Sequence, residues 1–266
     1  MKRNSLAILF AANLMLLACN NTPNNSTDSV ESENIDNTEE SVEMSQTQME
    51  DFDPDEEFEC PENLYNINPI KKEWEGKTIK VERGNSAIGI KQLALAFCKT
   101  YPKCATNKAI MDFLLSPDAN KESCDITSVS DENSLQYHIE CSTRNGHIYS
   151  MMMVETGPVT DACYWNRKNG HKLFAAHMEA THENGKCGEE FVVFYDYDPT
   201  TDIMTPEPAI TNMIEERAKS KDSYSVSLPK EGTDIEVSLY TIDKENDSAK
   251  SEDLTLKWNG TSFDWK

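Results

Sequence analysis

His171, His177, His182 and Cys187 fall within seventeen consecutive positions and are the most suggestive set of zinc-type ligands in the chain. Zinc accepts imidazole and thiolate, but its ligands must converge tetrahedrally. On a strand, His177 and His182 would point to opposite faces, because their spacing is odd. On a helix, their five-residue separation misses the i, i+4 spacing that a His-Glu-x-x-His motif uses. The string His177-Met178-Glu179-Ala180-Thr181-His182 is therefore not a metalloprotease helix. The expectation is ordinary hairpin and surface histidines, with no metal and no cofactor.

Two acidic strings have the look of calcium loops. Asp51, Asp53, Asp55, Glu57, Glu59 and Glu62 occupy alternating positions of a twelve-residue loop, and Asp196, Asp198, Thr200, Asp202 and Glu207 nearly do. Calcium loops of that type need Gly at position 6 for the sharp turn. Here Glu56 and Thr201 stand there, and both strings carry Pro at position 4. The first reads as the end of an acidic segment. The second reads as a hairpin turn, where Asp and Pro are favoured.

Nucleophilic catalysis finds no assembled motif either. Neither a Gly-x-Ser-x-Gly elbow nor a papain-like cysteine signature is present. Ser227-Leu228-Pro229-Lys230 has Ser-x-x-Lys spacing, but Pro229 argues for a turn. Carboxylate pairs for glycoside hydrolysis depend on a separation that only folding sets. Aromatic residues are the remaining candidates for recognition, since their rings offer large, rigid contact area to sugars or proteins. Tyr164 and Trp165 are the candidate ligand contacts, although strand alternation makes one member of such a pair a core residue.

The elements that must position these residues follow from periodicity. Ala87, Ile90, Leu93, Ala94 and Phe97 recur at helical spacing until Tyr101-Pro102, and Asn107 to Leu115 resumes the pattern until Pro117. This predicts a helical hairpin over 86–117. From Cys124 onward short strands alternate with turn signals, including Asn145-Gly146, Asn169-Gly170 and Asn259-Gly260. Asn-Gly suits a type I′ turn because both central residues need positive φ. The fold class is therefore α+β: a helical hairpin, then an antiparallel meander of about ten strands, interrupted by one helix near 209–220. A turn centred near Glu132-Asn133 would place Cys124 across from Cys141. Directly opposed Cβ atoms lie about 4.5–5.5 Å apart, a small adjustment from disulfide spacing, so a Cys124–Cys141 bond is expected.

The amino terminus carries an address. Met1-Lys2-Arg3-Asn4 is cationic, and Leu6 to Ala18 is an apolar run broken only by Asn13. A membrane-spanning helix needs about 20 apolar residues, so this run is too short. A charged start, a short apolar stretch and a small residue before the cut mark a secretory signal. The run ends in Leu16-Leu17-Ala18-Cys19, which resembles the lipobox of bacterial lipoproteins. The resemblance implies cleavage after Ala18, thioether lipidation of Cys19 and acylation of the new amino terminus. Several acyl chains make a lasting anchor, since each buried CH₂ contributes about 0.8 kcal/mol. Asn20 after the cysteine points to the outer membrane.

Charge then divides the chain. Residues 20–59 carry 14 Asp and Glu and no Lys or Arg, out of a net charge of −22. Such a stretch cannot bury enough apolar surface to offset its ordering entropy, so 19–59 reads as a disordered acidic tether. Fully extended, it would reach roughly 130 Å. Residues 60–266 carry 33 acids and 23 basic residues and read as one folded domain. No basic cluster supplies the footprint that nucleic acid binding needs. Of eight cysteines, lipidation consumes one, and the odd remainder leaves at least one thiol unpaired.

The layout of signal, lipobox, polar tether and compact β-rich domain resembles Gram-negative cell-envelope lipoproteins. The expected function is a lipid-anchored, non-catalytic binding or interaction module for a protein or glycan. The competing expectation is an envelope hydrolase whose site assembles only in three dimensions.

Overall fold

The computed structural model describes residues 67–266 apart from 85–86, 131–132, 154–156, 182–187 and 244–247. The signal segment, Cys19, the acidic tether, Cys60, His182 and Cys187 lie outside the described residues, as does the first acidic string.

Helices come first, and each has a local cause. Helix α1 spans Ile67–Trp74, α2 Ile90–Thr100 and α3 Ala105–Leu115. In α2 the buried set Ile90, Leu93, Ala94 and Phe97 forms one stripe, as 3.6-residue periodicity requires. Its start is tied by the Gly89 N–H, which donates to Gln92 Oε1 at 3.0 Å. Tyr101-Pro102 ends it, and Ser116-Pro117 ends α3, because proline cannot donate the next helical hydrogen bond. The expected helical hairpin is thus present as α2 and α3.

Twelve strands form among the described residues, in two antiparallel sheets, all but β1 after α3. The larger is a meander of β2 (Ser123–Ser130), β3 (Asn133–Ser142), β4 (His147–Met152), β5 (Val159–Asn166), β6 (Lys172–Thr181), β7 (Gly188–Asp198) and β8 (Ile203–Pro206). The two-residue β1 (Ile79–Lys80) adds to β8 at its edge. The smaller sheet holds β9 (Ser223–Ser227), β10 (Ile235–Asp243), β11 (Ser248–Trp258) and β12 (Phe263–Trp265). Helix α4, Pro208–Ala218, leads from one sheet to the other. The expected single run of strands therefore divides in two, and α4 marks the division. Gly146, Gly170, Gly232 and Gly260 all take positive φ, but Asn145, Asn169 and Asn259 do not, so the expected type I′ turns, which need positive φ at both residues, are not formed.

Alternation gives the larger sheet two buried faces. Phe174, Ala176, Met178, Phe191, Val193 and Tyr195 pack against α1–α3. There Trp74 meets Phe97 edge-on at 4.8 Å and Phe191 at 5.1 Å. The Tyr101 and Tyr195 hydroxyls lie 2.8 Å apart, and Tyr195 also donates to the Trp74 carbonyl. On the opposite face Cys163, Trp165, Leu173, Ala175, Val192 and Phe194 pack against α4 and the smaller sheet. Burying one such aromatic or aliphatic side chain contributes about 1.5–3 kcal/mol, so both faces hold the large sheet in place.

The β2–β3 register corrects one expectation. Ser130 pairs with Asn133, which centres the hairpin one residue earlier than Glu132-Asn133. Cys124 consequently opposes Ile139, while the Cys141 N–H donates to the Glu122 carbonyl. Cys124 and Cys141 become diagonal neighbours on one face, where separations run about 7–8 Å, beyond disulfide reach. Both thiols are free.

Candidate functional site

The face of the larger sheet that meets the smaller sheet carries a polar row across β3–β6. Register aligns Glu140 on β3, Tyr149 on β4, Asp161 on β5, His177 on β6 and Val192 on β7 directly across the ladder. The adjacent row aligns His138, Met151, Val159, Glu179 and Glu190. In β6 the alternation Leu173, Ala175, His177, Glu179 shows how this arises. An apolar face switches to ionisable groups halfway along the strand.

At the centre, Asp161 and His177 are buried, at 9 % and 4 % exposure. Asp161 Oδ1 lies 2.8 Å from His177 Nδ1, and Oδ2 lies 3.4 Å from His147 Nε2. His177 Nε2 lies 2.9 Å from Glu190 Oε2, which also accepts the Val226 N–H of the smaller sheet at 3.3 Å. Burying a charge is costly unless it is paired and hydrogen-bonded, and here the pairing decides the outcome. Burial opposes the His177 imidazolium, yet hydrogen bonds with Asp161 and Glu190 carry it well above the ordinary histidine range. Burial likewise opposes ionised Asp161, but hydrogen bonds from His147 and His177 hold it below the usual carboxylate range. Burial pushes Glu190 and Glu179 up, against the pull of His177. Burial, with Glu179, Glu140 and Asp161 nearby, pushes the Tyr149 phenol up to about 12.

Outward from this centre the same face opens. The apolar core between the sheets draws only on β5–β7 of the larger sheet, so β2–β4 extend beyond it as a ledge. Asp125, Thr127 and Gln136 are exposed there, and Met151 is 37 % exposed. His138 Nδ1 lies 2.7 Å from Asp125 Oδ1. Lys230, from the β9–β10 turn, reaches back to Glu140 at 3.1 Å and sits 4.8 Å above the Tyr149 ring. Met153, just past β4, is 46 % exposed.

The other candidates are placed elsewhere or sealed. His171 stands before β6, with Nδ1 2.7 Å from Asp196 Oδ2, apart from His177. Arg167 clamps Asp196 and Glu207 beside it. The second acidic string forms the β7–β8 turn: Asp198 Oδ1 accepts the Thr200 N–H at 2.7 Å. Asp202 accepts from the Tyr197 hydroxyl at 2.7 Å and from Arg83 at 2.9 Å. Trp165 is a core residue, 4 % exposed, with Nε1 donating to the Thr233 carbonyl at 2.8 Å. Tyr164 is half-buried, with Lys172 4.6 Å above its ring. Lys230 of the Ser-x-x-Lys string is committed to Glu140. The five described cysteines, Cys98, Cys104, Cys124, Cys141 and Cys163, are all free, and burial raises every one of their thiols. A nucleophilic cysteine needs the reverse, a lowered pKa.

Asp161 and Glu190 escaped the sequence reading. Asp161 is signalled by its position, a lone acid within Val159-Thr160-Asp161-Ala162-Cys163-Tyr164-Trp165. Its partner is sixteen residues away and appears only when the β5–β6 register is known. No protein-family model, curated protein or solved structure matches the chain. Among the described residues, no helix is long and apolar enough to cross a membrane.

Proposed function

We propose that the chain is exported, held on the outer membrane by lipid on Cys19, and acts as a non-catalytic binding module for a protein or glycan partner. The acidic segment 19–59 serves as the tether between lipid and domain. The ledge on β2–β4 is the observation that carries the binding role. It combines an exposed methionine, Met151, with the His138–Asp125 and Lys230–Glu140 pairs on one open strand face. Flexible methionine beside charged groups is a composition suited to adaptable recognition.

The non-catalytic part rests on the state of the reactive groups. A general base needs a free ring nitrogen within reach of its substrate proton, and both nitrogens of His177 face carboxylates. His138 and His171 face acids through both ring nitrogens as well, and His147 is buried. The described thiols are raised by burial, as above.

Fractionation tests the anchor and a paired substitution tests the ledge. Cys19→Ser should move the chain from the membrane to the soluble fraction. Met151→Asp with Lys230→Glu should abolish binding to isolated envelopes while leaving membrane anchoring and folding intact. Hydrolysis of a glycan or peptide by the purified chain, lost in His177→Gln, would overturn the non-catalytic reading.

A further inference from the structure

We propose that His177 Nε2, Glu179 and Glu190 form a site for one divalent cation of the zinc class, with Asp161 as the residue that orients the histidine. The ligand atoms of these three side chains already lie within 4.8 Å of one another. Bonds of about 2.0–2.1 Å in a tetrahedron put ligands about 3.3 Å apart, so a modest rotation of the glutamates completes the set.

The backbone supplies the placement. His177 and Glu179 stand two apart on β6, so they share a face, and Glu190 lies directly opposite Glu179 on β7. Three ligands on two paired strands are held more rigidly than ligands on loops.

The surroundings point to a cation independently of that spacing. A metal-binding histidine characteristically gives its other ring N–H to a carboxylate, which fixes the tautomer. Asp161 Oδ1 stands 2.8 Å from His177 Nδ1 and leaves Nε2 aimed toward Glu190. Asp161, Glu179 and Glu190 bring three carboxylates around His177, and His147 reaches Asp161 alone. Among the described residues no lysine or arginine pairs with any of the three. A dication supplies the balancing charge. Glu179 is only half-buried and lies two residues from the end of β6, so the site has a route to solvent. The imidazole ligand selects zinc-class ions over calcium, which takes six to eight oxygens.

The test uses the full mature chain, stripped with chelator. Titration with zinc chloride should give saturable one-to-one binding, and calcium chloride should give none at equal concentration. Glu179→Gln should weaken zinc at least tenfold, and Asp161→Asn should weaken it 10–100-fold through the lost orientation of His177. Zinc-edge anomalous scattering from crystals of the unaltered chain decides the matter without any variant. A peak about 2.0–2.1 Å from His177 Nε2, between Glu179 and Glu190, is the expected result. Absence of a peak there at saturating zinc, or unchanged zinc affinity in folded Glu179→Gln, overturns the site.

Discussion

Asp161 on β5 stands directly across the ladder from His177 on β6, with Oδ1 2.8 Å from Nδ1, both residues sealed between two sheets. That pair is the joint of the polar row. It links His147 on one side to Glu190 on the other, and through Glu190 to the backbone of the smaller sheet.

Removing Asp161 leaves charge uncompensated in the interior. Breaking a buried pair by truncating one partner costs about 3–5 kcal/mol. Asp161→Ala should therefore lose about 3 kcal/mol in urea unfolding, because Glu190 still supports His177. His177→Leu, which removes the imidazole altogether, leaves Asp161 with His147 alone and Glu190 with the Val226 N–H alone, and should cost at least as much.

Turn glycines separate strain from crowding. Gly146 and Gly170 both have positive φ, but a Cβ at Gly146 would meet the Tyr164 ring at 2.7 Å, while one at Gly170 meets nothing. Alanine at either position adopts an unfavourable backbone region, at about 1–3 kcal/mol. Gly146→Ala should be the more damaging of the two by thermal denaturation, since it alone must also displace Tyr164.

Asp202 gives a pH dependence of defined sign. Hydrogen bonds from Tyr197 and Arg83 hold its carboxyl below the usual range. A depressed folded-state pKa contributes stability above the unfolded value, about 3.9, and that contribution fades as pH falls through the folded value. Asn tolerates the positive φ that Asp202 adopts, so Asp202→Asn removes the charge without disturbing the turn. Its stability deficit against the parent chain should be constant above about pH 5 and shrink steadily below pH 4.

Thiol chemistry should follow burial. Cys98, Cys104, Cys141 and Cys163 are buried, while Cys124 is half-buried. Alkylation of the native chain should label Cys124 first among these five, and the other four only after denaturation. A Cys124–Cys141 peptide recovered under non-reducing conditions would contradict the diagonal register.

Local signals were the legible ones. Asn145-Gly146 and Asn169-Gly170 announce hairpins because the glycine of each supplies the positive φ its turn needs, although the asparagines do not share it and the turns are not type I′. The α2–α3 hairpin is equally local, set by apolar spacing and by Pro102 and Pro117. What remained hidden depended on register. Cys124 against Ile139 instead of Cys141 turns on a one-residue shift that no composition records. The separation of β9–β12 into a second sheet depends on which apolar faces meet, as Trp165 with Phe263 shows. The polar row was hidden for the same reason. His177 was visible as chemistry, but its partners come from β5 and β7 and not from His182 or Cys187 beside it.

The central claim, a tethered module that binds through the β2–β4 ledge, is tested most directly by photocrosslinking in intact cells. A photoreactive residue replaces Met151 on the ledge or, as control, Glu216 on the exposed side of α4. The account predicts one dominant adduct of fixed mass from position 151, none from position 216, and loss of the adduct when Lys230→Glu is added. Equal adducts from both positions, or none from position 151 in a correctly anchored and folded chain, would contradict it.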